Sequence, residues 1–138
     1  MLSISTKSTY GLKAALALAE SFDHGVLSIK EIAAQQDIPR QYLEQIFNRL
    51  GKADIVRSVR GKRGGYRLAR PPAEITAAEI ITLLEGGVDF ASGSSDPGDA
   101  ITALFRSVEE SVLQVLDVSL ADLLSQQQMG RSVPMYTI

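Results

Sequence analysis

A chain of 138 residues, 45% of them apolar, with a net charge of −2, has the size and make-up of one globular domain carrying an accessory element. It holds no cysteine, which excludes disulfides and thiolate-held metals or iron–sulfur clusters, and its single histidine cannot build a metal site by itself. The small net charge hides a division. Residues 1–70 carry 12 Lys and Arg against six Asp and Glu, a net of +6, whereas residues 71–138 carry two against ten, a net of −8. An acidic pI of 5.4 therefore does not argue against a nucleic-acid partner for the first half. No signal peptide is read at the start, and the Leu12–Ala19 stretch contains Lys13 and is too short to span a bilayer, so a cytoplasmic location without membrane contact is expected.

Met1 to Thr6 reads as a short arm, after which Ser5 or Thr6 caps a helix running to about Phe22. Leu12, Ala15, Leu16, Ala19 and Phe22 give this helix its apolar face. Lys7 lies in the first turn beside free N–H groups, a place that suits a phosphate as well as it suits an ordinary surface lysine. His24 falls in the following turn with Gly25 and is read as a loop residue.

The organising stretch is Ser28 to Tyr66. Ser28 and Glu31 form a capping box for a short helix with Ile29, Ile32 and Ala33 on its apolar stripe. Gln35, Gln36 and Asp37 break that stripe, and Pro39 suits the first position of the next helix. There Leu43, Ile46, Phe47 and Leu50 recur at helical spacing, while Gln41, Glu44, Gln45, Asn48 and Lys52 occupy the opposite face. Amide side chains can pair with adenine edges and a carboxylate can accept from cytosine, so such a face suits a major groove. Taken alone, such a helix is more often an ordinary amphipathic surface helix.

The next segment changes that balance. Ile55–Arg60 and Tyr66–Leu68 are β-prone runs around Gly61-Lys62-Arg63-Gly64-Gly65, whose glycines permit positive φ and a tight reversal. Arg60, Lys62 and Arg63 then stand at or near the tip of a hairpin, where they can lie on phosphates or enter a narrow minor groove. A charged hairpin can also be merely a protected edge, but directly after a helix-turn-helix pattern it reads as a wing.

Pro71-Pro72 ends the hairpin, and Thr76 with Glu79 makes a second capping box for a helix from Ala77 to about Glu85, stopped by Gly86-Gly87. Residues 88–99 are rich in Gly, Ser and Asp and read as a mobile loop without phosphate-loop or calcium-loop spacing. From about Ala100 to Asp117 a long helix is predicted, roughly 27 Å at 1.5 Å per residue. Its stripe of Ile101, Leu104, Phe105, Val108, Val112, Val115 and Leu116 can pair with the same helix of a second subunit or pack back on its own domain, and the dimer is favoured. Ser119 caps a last short helix through about Gln126, and the tail ends in Met135, Tyr136 and Ile138, apolar enough to dock.

The stretches STKSTYGL, SIKEIAAQQDIPRQYLEQIFNRL, VRSVRGKRGGY, EITAAEIITLLEG and SLADLL together resemble the Rrf-two family of dimeric winged helix-turn-helix transcriptional regulators, the IscR, NsrR and CymR type. The resemblance covers nearly the whole chain. It implies that Gln41, Tyr42, Glu44 and Gln45 face bases or phosphates and that Arg60 enters the minor groove. Many members carry three cysteines between the fourth helix and the dimer helix, but the interval 86–99 here has none, so no cofactor is expected. In this it looks like the cysteine-free CymR-like branch, for which the resemblance implies a signal delivered by a partner protein, cysteine synthase.

The resulting expectation is a mostly α fold with a small β-hairpin wing: a winged helix-turn-helix DNA-binding region over residues 1–70, a connecting helix and loop over 71–99, and a long C-terminal dimerisation helix, short last helix and tail over 100–138. The function read from it is a homodimeric, sequence-specific regulator binding double-stranded DNA as a repressor, controlled by a small molecule or a partner protein. Lys7, Arg40, Arg49, Lys62 and Arg63 would hold phosphates, Gln41, Glu44, Gln45 and Arg60 would discriminate sequence, and Ser28 and Tyr42 complete the DNA-facing set. The alternative is a winged helix that binds protein only. An enzyme is not expected, since only carboxylate chemistry would remain to it.

Overall fold

The computed structural model describes residues 2–91, 96 and 98–132. Six helices and one hairpin follow in the order α1 (Thr6–Glu20), α2 (Ile29–Gln36), α3 (Arg40–Lys52), β1 (Val56–Val59), β2 (Gly65–Leu68), α4 (Ala77–Glu85), α5 (Ala100–Leu116) and α6 (Leu120–Ser132). Short 3₁₀ turns at Phe22–His24 and Pro72–Glu74 complete the path. No helix of the described residues is long and apolar enough to cross a membrane.

The helix α1 is the axis of the core. Ser5 caps it, accepting the Ser8 N–H at 3.3 Å, and α2, α3, α4, α6 and β2 all pack around it. Its buried side is therefore wider than the predicted face: Ser8, Gly11, Ala14, Ala15, Ala17, Leu18 and Ala19 are buried, while Leu12, Leu16 and Phe22 are only half-covered. Small residues dominate because neighbouring helices approach from several sides. Against this axis lie Ile32, Leu43, Ile46, Phe47, Leu50, Ile55, Leu68, Ile75, Ile80 and Leu120, all withdrawn from solvent. Each such side chain contributes on the order of 1.5–3 kcal/mol of burial.

Strands β1 and β2 pair antiparallel in the register Val56–Leu68 to Val59–Gly65. A third stretch joins them, for Leu27 and Tyr66 exchange backbone hydrogen bonds of 3.0 and 2.7 Å. This approach explains Gly65, where a Cβ would stand 2.4 Å from the Leu27 carbonyl oxygen. Of the three wing glycines only Gly61 has positive φ (132°), so positive φ accounts for one of them and close backbone contact for the others.

The second predicted capping box forms by half. Thr76 Oγ1 accepts the Glu79 N–H at 3.1 Å, but the Glu79 carboxylate turns to Arg70 at 2.5 Å. Gly86 closes α4 in the left-handed region (φ 81°). The loop after it is tied to α5 at its start, where the Phe90 N–H donates to Glu109 Oε1 at 2.9 Å. Residues 92–95 and 97 of that loop, and the tail with Met135, Tyr136 and Ile138, lie outside the described residues.

The last helix runs to Ser132, longer than its apolar pattern, and Ser119 caps it, accepting the Asp122 N–H at 3.0 Å. Backbone bonds from Ala77 N to Val118 O (2.9 Å) and from Leu120 N to Ile75 O (2.8 Å) clasp the α5–α6 corner to the start of α4. The acidic half of the chain thus closes the core of the basic half.

Candidate nucleic-acid interface

The helix-turn-helix is built from local bonds. Ser28 Oγ accepts the Glu31 N–H at 3.1 Å and Glu31 Oε1 accepts the Ser28 N–H at 3.2 Å, the reciprocal cap expected of this pair. Asp37 ends α2 in the left-handed region (φ 54°, ψ 51°), and buried Ile38 pins the turn to the core. Pro39 stands one place earlier than predicted, as the cap before α3 rather than inside it, with extended ψ (135°). From there Leu43, Ile46, Phe47 and Leu50 face inward, each 0–1% exposed. Arg40, Gln41, Tyr42, Glu44, Gln45 and Asn48 are left in solvent as one outward row.

Two aromatic contacts orient this helix. Tyr42, 43% exposed, meets Tyr10 of α1 edge-on at 5.8 Å, and Phe47 stacks on Tyr66 of β2 at 4.5 Å between ring centres. The recognition helix and the wing are therefore joined through a ring pair as well as through the chain. Arg60, Lys62 and Arg63 are exposed, as is Arg57 on β1, and no carboxylate pairs with them among the described residues. Arg57 was not singled out in the sequence. It faces Arg67 directly across the hairpin, a like-charge pairing that costs stability and is tolerable where an anion arrives. Arg67 lies over the Phe22 ring at 5.2 Å.

One of the residues expected on phosphates, Arg49, has partners inside the chain, and the seat beside another, Lys7, is filled. The Arg49 guanidinium donates to the Leu83 and Leu84 carbonyls at 2.6 and 3.2 Å, satisfying acceptors left free at the end of α4. It is half-buried and leaves the outward row. The reason is position: Arg49 sits beside Leu50 on the flank of α3 that meets α4. At the start of α1, the seat expected for a phosphate beside Lys7 holds the Glu85 carboxylate. Ser8 Oγ donates to it at 2.6 Å, and Ser5 Oγ donates to it as well. Those two hydroxyls, joined by the Lys7 charge, hold the Glu85 carboxyl below its ordinary range, against a smaller opposing effect of burial. A carboxylate at the C-terminal end of a helix opposes the dipole of that helix, and that misplaced charge was the one signal in the sequence that Glu85 serves another element.

The long helix α5 buries only Thr102. Ile101, Leu104, Phe105, Val108 and Val115 are exposed, Leu104 by 60% and Val115 by 78%, while Val112 and Leu116 are half-covered. With Ile4 of the arm, Val108, Val112, Val115 and Leu116 line an apolar groove of about 470 Å³.

A helix-turn-helix with a cationic wing, an amide-rich outer row and a core that braces both defines a winged-helix DNA-binding protein. Comparison with known proteins agrees. The family profile described as Rrf2, iron-dependent transcriptional regulator, matches residues 4–126. The chain is 38% identical over 125 residues to the HTH-type transcriptional regulator CymR of Bacillus subtilis, covering 90% of this chain and 91% of that one. Among solved structures it superposes on T. potens IscR with a TM-score of 0.83 at 37% identity, covering 98% and 95% of the two chains. The structure of CymR, described as the global cysteine regulator of B. subtilis, gives 0.81 at 38% identity, covering 91% and 98%. The chain belongs to the Rrf2 family, and it is a DNA-binding transcriptional regulator.

The iron in that family description does not fit the residues of this chain. There is no thiolate in the sequence, and among the described residues no three His, Cys, Asp or Glu side chains come together. In the interval after α4, Asp89 and Asp96 already accept the Ala91 and Gly98 N–H groups, each at 2.9 Å. Whatever adjusts DNA affinity here is not a cysteine-held cluster.

Proposed function

We propose that the protein acts as a two-fold homodimer that represses transcription, without enzymatic activity, in the cytoplasm. Each α3 reads one half-site through Gln41, Glu44 and Gln45, with half-site centres about one helical turn, roughly 34 Å, or a multiple of it apart. Arg60 enters the flanking minor groove, and Arg40, Lys62 and Arg63 hold phosphates. Tyr42 and the Ser28 hydroxyl, which already accepts a cap bond and keeps its proton to donate, complete the DNA-facing set.

The observation that carries the dimer is the apolar stripe of α5. Among the helices and strands of the described residues, only α4 makes more than marginal contact with this helix, and a stripe of this size left in water marks an association surface. The same stripe on a second copy covers it by symmetry. The similarity to CymR and the missing cysteines support control by a small molecule or by a protein partner such as cysteine synthase.

Two measurements test this reading. Sedimentation should give a dimer, and Val115→Asp combined with Leu104→Asp should give a folded monomer. Titration of a genome-selected duplex and its scrambled counterpart at two salt concentrations should show discrimination at both. Equal binding of the two duplexes would leave a protein-binding winged helix as the better reading.

A further inference from the structure

A cleft of about 560 Å³ opens between the wing loop and the turn that precedes α2. Lys62 and Arg63 line it from the wing, His24 from the turn, and Ser28 and Glu31 from the head of α2. Its two walls are tied together by the Leu27–Tyr66 backbone pair, which joins the turn to β2. All but one of its polar side chains are donors or can become donors: an ammonium, a guanidinium, an imidazole and a hydroxyl. The exception, Glu31, is held back by the cap bond it accepts from the Ser28 N–H at 3.2 Å.

We propose that this cleft seats one backbone phosphate of bound DNA and that His24 is its proton-dependent ligand, so that DNA affinity rises as pH falls. The proposal rests on the DNA-binding reading and adds to it a residue and a mode of regulation. An imidazole gains its charge in the interval of about pH 8 to pH 5, where no ordinary Lys, Arg, Asp or Glu changes state. A phosphate placed beside it favours the charged form, so binding takes up a proton.

The charges facing His24 are mixed. Asp23 precedes it, Glu20 at the end of α1 lines a second cleft with it, and Glu31 faces it from α2. Lys62 and Arg63 face it from the wing, and Arg67 of β2 lies over the neighbouring Phe22. The arriving phosphate adds negative charge to this mixture, and negative charge beside an imidazole favours its protonated form.

The test measures affinity for the genome-selected duplex by fluorescence anisotropy, at about pH 6 and about pH 8, for wild type, His24→Gln and His24→Arg. Wild type should bind several-fold more tightly at the lower pH, with a salt slope steeper there by about 0.9 for each subunit of the dimer. His24→Gln should lose both effects while still discriminating the duplex from its scrambled counterpart. His24→Arg should bind at the higher pH as wild type does at the lower. Identical pH and salt responses in wild type and His24→Gln would overturn the proposal and leave the regulator reading intact. Failure of wild type to discriminate duplexes would instead overturn that reading. If inorganic phosphate binds wild type more tightly than His24→Gln while the two proteins bind the duplex equally at both pH values, the cleft takes a free anion and the assignment to the DNA backbone is wrong.

Discussion

Ser8 Oγ donates to Glu85 Oε2 at 2.6 Å, joining the first turn of α1 to the last residue of α4 across 77 positions of the chain. With Ser5 making a second such bond and Lys7 nearby, the Glu85 carboxyl is held below its ordinary value of 4.5. A group whose folded pKa is depressed adds stability that is fully present above the unfolded value and lost as pH falls through the folded one. Glu85→Gln should therefore lower the melting temperature at neutral pH, and the difference from wild type should vanish in acid below the folded value. Because the carboxylate is exposed, the loss should be at most about 1 kcal/mol. Thermal denaturation of both proteins across pH reads it directly.

Arg49 and Arg40 lie on the same helix and should fail differently. Arg49 bonds two carbonyls at the end of α4, and hydrogen bonds from a charged donor are worth about 1.5–3 kcal/mol each at most. Arg49→Ala should cost about 1–3 kcal/mol of stability and leave the salt slope of DNA binding unchanged. Arg40 is exposed at the start of α3, so Arg40→Ala should leave stability alone and flatten the salt slope by about one unit. Denaturation and salt titration on the two variants separate the roles.

The parts legible in the sequence were those whose cause is local. The capping box of Ser28 and Glu31, the inward row of α3 and the left-handed stop at Gly86 each depend on neighbours a few residues away. What was not legible depends on distant backbone. Arg49 sits at helical spacing compatible with either face, and its acceptors lie 34 and 35 positions on. Ser8 and Gly11 break the apolar pattern of α1 yet are buried, because α4 packs there: a Cβ at Gly11 would stand 2.3 Å from Leu84 Cδ1. The last helix outruns its expected end because Gln126 to Gln128 carry no apolar stripe, and the end of a pattern is not the end of a helix.

Gln45 lies in the exposed row of α3 one turn beyond Gln41. A bidentate amide contact to a base is worth about 1–3 kcal/mol of discrimination. Gln45→Ala should weaken binding to the selected duplex by that amount, leave the scrambled duplex unaffected and relax the preference at one position in each half-site. A panel of single-base variants of the duplex, titrated against wild type and Gln45→Ala, reports which position that is. An equal loss on every duplex would assign Gln45 to the backbone instead.

Gly65 holds the wing to the body. A methyl group there would stand 2.4 Å from the Leu27 carbonyl oxygen and 2.9 Å from the Ser28 nitrogen, both backbone atoms that cannot swing aside. Gly65→Ala should push the hairpin off this stretch and break the Leu27–Tyr66 pair, at a cost of about 1–3 kcal/mol, the usual range for overpacking. Amide exchange at Leu27 and Tyr66 should then speed up well beyond exchange in the α3 core. Since the wing carries cations and α3 carries the reading row, affinity for selected and scrambled duplexes should fall by a similar factor, with discrimination retained. Unchanged exchange at Leu27 would mean that the chain before α2 moves with the wing, and that the turn rather than the hairpin absorbs the added methyl.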